Sequence, residues 1–556
     1  MAILTDLTIQ TMKITYPRSL FVVLIPVSLI SNGSAQCTGG WAREGGGLET
    51  DFCRSVAVDM EGNVYVTGSF TGTAEFSGVE ITSSDDAEDI FLAKYAADGS
   101  LLWIRSGGGQ NIDWPGKVAV DGEGNAYITG THFRPALFGG IALANAANQP
   151  NAFVVKYDQF GGVLWAISLG GNGWDSGDAI AYDVVSGHVI VGGQFEGTSE
   201  FGDLSATATS QRDMYLAEVD IAGNVVGLGI LGQATGNEQV RGLATDASGS
   251  VYAVGMMDGS VTIGTPYAAA GAQDCMLLKF GPGLQLEWGR FGGGIADDSW
   301  NDVAVGSEGE VFASGVASGD VVFGAEMLTG AGDKDQVLAK YSADGDLEWV
   351  QHGGGTGIDA GSAVVALGNG HALFTGSFQG IATFSGTTLT ASGEEDVLLV
   401  ECDATGAAFN ITHWGMEGDN NGYGLARGTN GAVYLTGQFE GGMIIGDTVL
   451  QSAGGRDAFV HQVCDGSMGV VDIPGNTGCA LSPNPVAAGS PCTLSFQHYS
   501  GAGTLLVYDA QGRTMRSHQF AMTPVKFFVD NLAKGVYGVR FIDQQGRSCS
   551  RKLVVD

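Results

Sequence analysis

One spacing governs what this chain can fold into. The phrase Val66-Thr67-Gly68 returns as Ile128-Thr129-Gly130, Val191-Gly192-Gly193, Ala253-Val254-Gly255, Ala313-Ser314-Gly315, Phe374-Thr375-Gly376 and Leu435-Thr436-Gly437. The glycines are 62, 63, 62, 60, 61 and 61 residues apart. A second column, Asp89, Asn151, Asp213, Asp274, Asp335, Asp396 and Asp457, keeps the same period. So does a third built around Phe76, Phe138, Phe201, Ile263, Phe323, Phe384 and Ile445. Three independent columns on one period define seven repeats, and a repeat of this length is one supersecondary unit that buries its apolar face against its neighbours.

Each repeat reads as strands. Val56 to Asp59 is a short apolar run, Glu61-Gly62-Asn63 a turn, and Val64 to Phe70 alternates with period two. Phe91 to Tyr95 and Leu101 to Arg105 follow, separated by the tight turn Ala97-Asp98-Gly99. About four strands per unit without a helix predicts an all-β chain, a seven-bladed β-propeller. The excess over a shorter blade falls around Phe76 to Glu88. The last strand of a blade centres on Trp103, Trp165, Gly227, Trp288, Trp349 and Asn410, and the seventh repeat lacks one. Gly40-Trp41-Ala42-Arg43 supplies it, so the N-terminal strand is expected to close the ring and remove its free edges. In this alignment Cys37 and Cys464 fall three positions apart across a β-turn, within reach of a disulfide across the seam. Cys53, Cys275 and Cys402 are alone in their columns and are expected to be buried apolar residues.

The repeats resemble the bacterial SBBP β-propeller repeat, whose Val-Ala-Val-Asp, Gly-Asn-Val-Tyr-Val-Thr-Gly and Asp-x-Phe-x-x-Lys-Tyr phrases stand here from Val56 to Tyr95. The resemblance covers roughly 41–464 and implies a fold without a single activity. After a polar linker at 465–478, the segment 479–556 resembles the type A sorting domain of type IX secretion cargo, a small Ig-like β-sandwich. Four phrases occur in order: Pro483-Asn484-Pro485; Tyr508-Asp509 with Gly512-Arg513; Gly535 with Tyr537; and Lys552-Leu553-Val554-Val555. That resemblance implies export across the outer membrane of a Bacteroidetes-type bacterium. It also implies recognition by the type IX machinery and its sortase, and a place on the cell surface or outside the cell. Cys479, Cys492 and Cys549 depart from the pattern.

The N-terminus agrees with export. Lys13 and Arg18 precede an apolar run from Ser19 to Ile30, and Gly33-Ser34-Ala35 fits a small-x-small cleavage site, so 1–35 is expected to be a signal peptide, with Met12 the better start. No other stretch is long and apolar enough for a membrane helix. With 25 Lys and Arg against 60 Asp and Glu, the net charge is -35. Such a chain repels nucleic acid and attracts cations.

The most regular polar column lies in the loops before each innermost strand: Asp51, Asp113, Asp175, Asn237, Asp298, Asp359 and Asn420. Two roles compete for it. The side chains can cap their own glycine-rich loops by accepting backbone N–H bonds. Alternatively Asp51, Asp113, Asp175, Asp298 and Asp359 can bind calcium. Trp114, Trp174, Trp300 and Trp414 lie in the same loops without sharing a column, and His132-Phe133-Arg134-Pro135 breaks the second repeat. Aromatics beside acids can grip sugars or peptides. Neither a Gly-x-Ser-x-Gly elbow nor a zinc-type Cys or His spacing is present. The sequence therefore favours a non-catalytic surface protein that binds a glycan, peptide or protein partner. An extracellular polysaccharide hydrolase or lyase comes second, and a structural surface component third.

Overall fold

The computed structural model describes residues 40–463, apart from 146–148, 233–235, 264 and 446–447, together with the strands between 479 and 555. The proposed signal peptide, Cys37, Cys464, the linker and the Pro483, Asn484, Pro485, Asp509, Gly512 and Arg513 positions lie outside the described residues. No described helix is long and apolar enough to cross a membrane.

Each of the first six repeats supplies four strands of an antiparallel sheet, and the seventh supplies three. In the first these are Phe52–Val58, Val64–Thr71, Glu88–Tyr95 and Leu101–Gly109, paired in that order. Their cores are Val, Ile, Phe and Tyr, residues that suit a pleated surface buried on both faces. The innermost strands of the successive sheets touch one another around a closed ring: Phe52–Val58, Asp113–Val120, Ser176–Asp183, Glu238–Thr245, Ser299–Val305, Ala360–Gly368, Asn421–Arg427, and back to Phe52–Val58. This is the architecture of a β-propeller.

Three local features explain the recurring phrases. The first is a bulge. Every innermost strand shifts register against its neighbour, at Cys53/Ser55 and at the corresponding places through Gly422/Gly424. The bulge drives a carbonyl against the Thr-Gly glycine: a Cβ on Gly68 would lie 1.9 Å from the Phe52 oxygen, and one on Gly376 1.7 Å from that of Ala360. Only glycine fits there.

The second is the hairpin that makes each repeat long. Thr73–Phe76 and Val79–Thr82 pair with each other, yet they extend the outer edge of the preceding sheet, through Ala42–Gly47. Ala136–Phe138 does the same on Leu101–Gly109, and Val321–Phe323 on Gln285–Gly294. In four of these hairpins the phenylalanine, Phe76, Phe138, Phe323 or Phe384, lies over a glycine of the neighbouring strand. A Cβ on Gly45, Gly107 or Gly353 would meet the Phe76, Phe138 or Phe384 ring at 2.1 to 2.2 Å.

The third is a clamp. Trp103 Nε1 donates to the Gln159 carbonyl at 3.0 Å, and Arg105 Nε to that of Gly161 at 2.9 Å, so the last strand of one sheet grips a turn of the next repeat. Trp165 and Trp349 repeat the tryptophan contact.

The seam uses the same parts. Ala42–Gly47 pairs with Thr448–Val463 in the register Ala42↔His461, and Trp41 Nε1 donates to Ala97 O at 2.9 Å while Arg43 Nε donates to Gly99 O at 2.8 Å. The chain thus meets itself with the same tryptophan and arginine contacts that join the first repeat to the second.

The axis of the ring is filled by side chains. Lys117 on the second innermost strand reaches Asp302 on the fifth, 2.5 Å away, and Asp302 also accepts the Val364 N–H at 3.0 Å. Arg241 NH1 donates to Ser299 Oγ at 2.9 Å, and Asp178 accepts from Gln239 at 3.1 Å and Ser176 at 2.6 Å. Burial raises the Asp178 pKa, partly offset by those two bonds and by Arg241 and Arg54. Lys117→Met strands Asp302 in a partly solvated space. The expected cost is about 2 kcal/mol, visible as a lower urea midpoint with an unchanged slope.

In the C-terminal segment Cys479–Ser482, Pro491–Phe496 and Val525–Phe528 form one sheet. Thr514–Phe520, Gly503–Tyr508, Gly535–Asp543 and Ser548–Val555 form a second. Leu505, Val507, Val539, Leu553 and Val555 are buried. The alternation of Leu553 and Val555 explains why the terminal phrase is apolar at every second position. Tyr508, Gly535, Tyr537, Lys552 and Val554 lie on these strands.

Candidate functional site

The carboxylate ring is built by the strand starts. Asp51, Asp113, Asp175, Asp298 and Asp359 are all buried, and each accepts the N–H of a glycine four residues earlier. For Asp51 the distance from Gly47 N is 2.6 Å, and its other oxygen accepts from Thr71 N at 3.0 Å. Asp175 adds Ser199 Oγ at 2.7 Å, and Asp298 adds Ser318 N at 2.7 Å. These are loop caps. Calcium takes six to eight oxygen ligands, and the partners of these carboxylates are N–H and O–H donors. Among the described residues no group of three or more His, Cys, Asp or Glu is arranged to hold a metal ion.

One member of the column is displaced. Glu238 occupies the place predicted for Asn237. Its N–H reaches the Arg212 carbonyl as the Asp298 N–H reaches that of Gln273, and its side chain is buried. The preceding repeat has one residue more in the turn after its innermost strand, where Gly187 N reaches Asp183 O across four residues and Gly62 N reaches Asp59 O across three, which shifts the column by one. Asn237 instead pairs with Asp258, 2.8 Å from Nδ2.

A second ring backs the first. Asp89, Asn151, Asp213, Asp274, Asp335, Asp396 and Asp457 are buried at the start or in the body of the third strands, next to the ring residue of the following repeat. Burial pushes Asp51 and Asp113 up to about 7, Asp298, Asp359 and Asp457 up to about 6, and Glu238 up to about 8. Neighbouring acids add to the rise, Asp457 on Asp51 and Asp89 on Asp113.

The four tryptophans separate into two groups. Trp300 is 1% exposed and packs on Phe323, with ring centroids 5.2 Å apart. It belongs to the core, because it points into the sheet interface from the first residues of its strand. Trp414 is half-buried against His461 at 5.7 Å. Trp114 and Trp174 meet on the loop face. Their ring centroids are 5.8 Å apart, although they come from different repeats. Phe133 stands edge-on to both, at 4.8 Å from Trp114 and 5.5 Å from Trp174. The Arg212 guanidinium lies over the Trp174 ring at 5.2 Å and faces Glu196 at 3.8 Å. Trp114 is 41% exposed and Ile112 beside it 39%. Phe133 and Arg212 were not singled out individually by the column pattern. The signal for Phe133 was the interruption of the second repeat at 132–135.

An all-β ring of repeated four-stranded sheets, followed by a small β segment carrying the sorting phrases, defines an exported β-propeller. The comparisons with known proteins agree. The Beta-propeller repeat family SBBP matches residues 40–72 and 104–131, and the Secretion system C-terminal sorting domain matches 480–556. The chain thus carries SBBP β-propeller repeats and a type IX sorting tail, and the tail indicates secretion to the outer-membrane surface or the extracellular space. The sorting-domain match implies interaction with the type IX secretion machinery.

An uncharacterized WD repeat-containing protein of Acanthamoeba polyphaga mimivirus is 33% identical over 25% of this chain. The chain spans only 12% of that relative. Among solved structures, PorZ, a surface component of the type IX secretion system of Porphyromonas gingivalis, is 14% identical with a TM-score of 0.30. The match covers 92% of this chain and 74% of PorZ. A fungal alcohol oxidase of the AA5 family, solved with copper, is 13% identical with a TM-score of 0.39, over 93% of this chain and all of that one. Likenesses this distant say nothing of function.

Proposed function

We propose that this protein is a non-catalytic, seven-bladed surface propeller that binds a glycan or peptide through the aromatic group on its loop face. The observation that carries this reading is the convergence of Trp114, Phe133 and Trp174 from two repeats, with Arg212 stacked on one of them. The arrangement breaks the sevenfold pattern, as a site does and a scaffold does not. Exposed tryptophan next to a fixed guanidinium offers a ring face, an edge and a donor fork to a polar ligand. The acids of the channel are already bonded to Lys117, Gln239 and backbone N–H groups, which supports binding over carboxylate catalysis at the axis.

The test is a glycan and peptide array probed with the exported protein in calcium and in chelator, repeated with Trp114→Ala and Trp174→Ala. Saturable binding that weakens tenfold or more in both variants is expected, the usual loss for a central aromatic contact. Binding that survives both substitutions places the site elsewhere, and binding lost only in chelator assigns it to a cation.

A further inference from the structure

At four junctions between repeats, two buried aspartates face each other across one glycine. The pairs are Asp457 with Asp51, Asp89 with Asp113, Asp274 with Asp298, and Asp335 with Asp359. In each, the third-strand aspartate spends Oδ2 on its own turn: Asp89 accepts from Ser84 N at 2.8 Å, Asp274 from Ala270 N at 3.0 Å, Asp335 from Ala331 N at 2.6 Å and Asp457 from Ala453 N at 2.7 Å. The Oδ1 atom of all four is buried and has no hydrogen-bond partner. That atom points at the glycine separating it from Oδ2 of the next repeat's aspartate. A Cβ on Gly108 would lie 2.3 Å from Asp89 Oδ1 and 2.8 Å from Asp113 Oδ2. On Gly354 it would lie 2.1 Å from Asp335 Oδ1 and 2.9 Å from Asp359 Oδ2.

Two carboxylates confined this way cannot both ionise without cost. The groups facing them do not neutralise the pairs. They are Glu44, Glu49 and Cys53 at the first pair, Asp85 and Glu88 at the second, Asp297, Tyr267 and Cys275 at the third, and Glu395 at the fourth. Arg456 precedes Asp457 in the chain but is engaged with Asp419. Lys334 precedes Asp335 and bonds by its own backbone to Gly357 and Asp359.

Of the three remaining junctions, one sets Asp213 beside Glu238, and the other two show what the site requires. Asn151 stands opposite Asp175, and Asn420 opposite Asp396. An amide has the shape of a protonated carboxyl and carries its own donor. The Asn151 oxygen is unpartnered, and a half-turn of the amide aims Nδ2 at Asp175. The same repeated position thus accepts either an amide or an acid.

We infer that each of the four aspartate pairs holds one shared proton, carried as O–H from one carboxyl to the other, and that these protons latch the repeats together in a pH-dependent way. The sign follows from linkage. A carboxyl whose pKa is raised on folding keeps its proton in the folded chain and releases it on unfolding. The folded state is then favoured at the acid end of the window and loses that advantage as pH rises through about 6 to 7, where burial has placed Asp51, Asp113, Asp298, Asp359 and Asp457.

Thermal unfolding of the full chain tests this between pH 5 and pH 8. A fall in Tm of about 5–10 °C is expected toward pH 8, with release on unfolding near pH 5.5 of about four protons per molecule from the pairs, beyond the one that buried Glu238 releases. Asp89→Asn and Asp335→Asn copy the natural amide positions. Each should raise Tm at pH 8 and reduce proton release by about one. A flat or rising Tm, no proton release, or asparagine variants that keep the full slope would overturn the inference. So would calcium that raises Tm at pH 8 and removes the slope, which would give the pairs to a cation. Release by the unaltered protein of no more than the Glu238 proton overturns the inference even if a variant does not fold.

Discussion

Gly376→Ala is expected to destabilise the propeller by about 3 kcal/mol or more, the upper range for overpacking a closed interior. The added Cβ would lie 1.7 Å from the Ala360 carbonyl oxygen and 2.8 Å from its carbon. Both belong to backbone, so no side chain can turn aside. Relief requires undoing the bulge between Gly361 and Ala363, which aims the innermost strand. A one-residue slip there would turn buried Val364 outward. The check is the urea midpoint of Gly376→Ala beside Gly442→Ala, where an added Cβ meets nothing closer than 3.5 Å. Equal midpoints would refute the steric reading of the Thr-Gly column. The loss should recur at Gly437 and Gly193, each 1.8 Å from a carbonyl oxygen.

Trp41→Ala carries the second large effect, about 3–5 kcal/mol, as for other buried tryptophans truncated to alanine. The ring is 7% exposed, lies 6.0 Å from Tyr95 and 5.8 Å from Tyr434, and donates to Ala97 O. Tyr95 and Ala97 belong to the first repeat and Tyr434 to the seventh, so this one side chain bridges the seam. Its loss should free the Ala42–Gly47 strand before the rest of the molecule unfolds. Limited proteolysis is expected to cut near 48–50, where Leu48 is already 80% exposed, while the other repeats stay protected. Unchanged Tm and unchanged cleavage would mean that the remaining strand pairing and Arg43 hold the seam alone.

The parts of this fold that repeat were legible in the chain. Strand positions, turns and the buried aspartate column each recur on one period, and a local signal copied seven times stands out from any single irregular copy. The start of the last sheet's outer strand was legible too, because Trp41 and Arg43 match Trp103 and Arg105. Glu238 was hidden for the opposite reason. Its repeat has one residue more between the preceding column positions, and an asparagine next to it satisfied the sequence pattern.

Periodicity determined the strands and the all-β class, and the resemblance of four ordered phrases in 479–556 to a sorting domain marked the export tail. Periodicity also determined that an acid or amide would stand at each repeat junction. Tertiary structure alone decided which of those acids face one another, since the partners come from neighbouring repeats, with Asp51 and Asp457 from opposite ends of the propeller, and meet only when the sheets pack. It decided that the Thr73–Phe76 hairpin joins the sheet before its own, and that Lys117 crosses the axis to Asp302. It also separated four tryptophans that look equivalent in sequence, turning Trp300 into the core and bringing Trp114 and Trp174 together on the surface. The physical reason is the same in each case. Hydrogen bonding and side-chain alternation act over a few residues, whereas burial and contact across sheets depend on where the ring carries each strand.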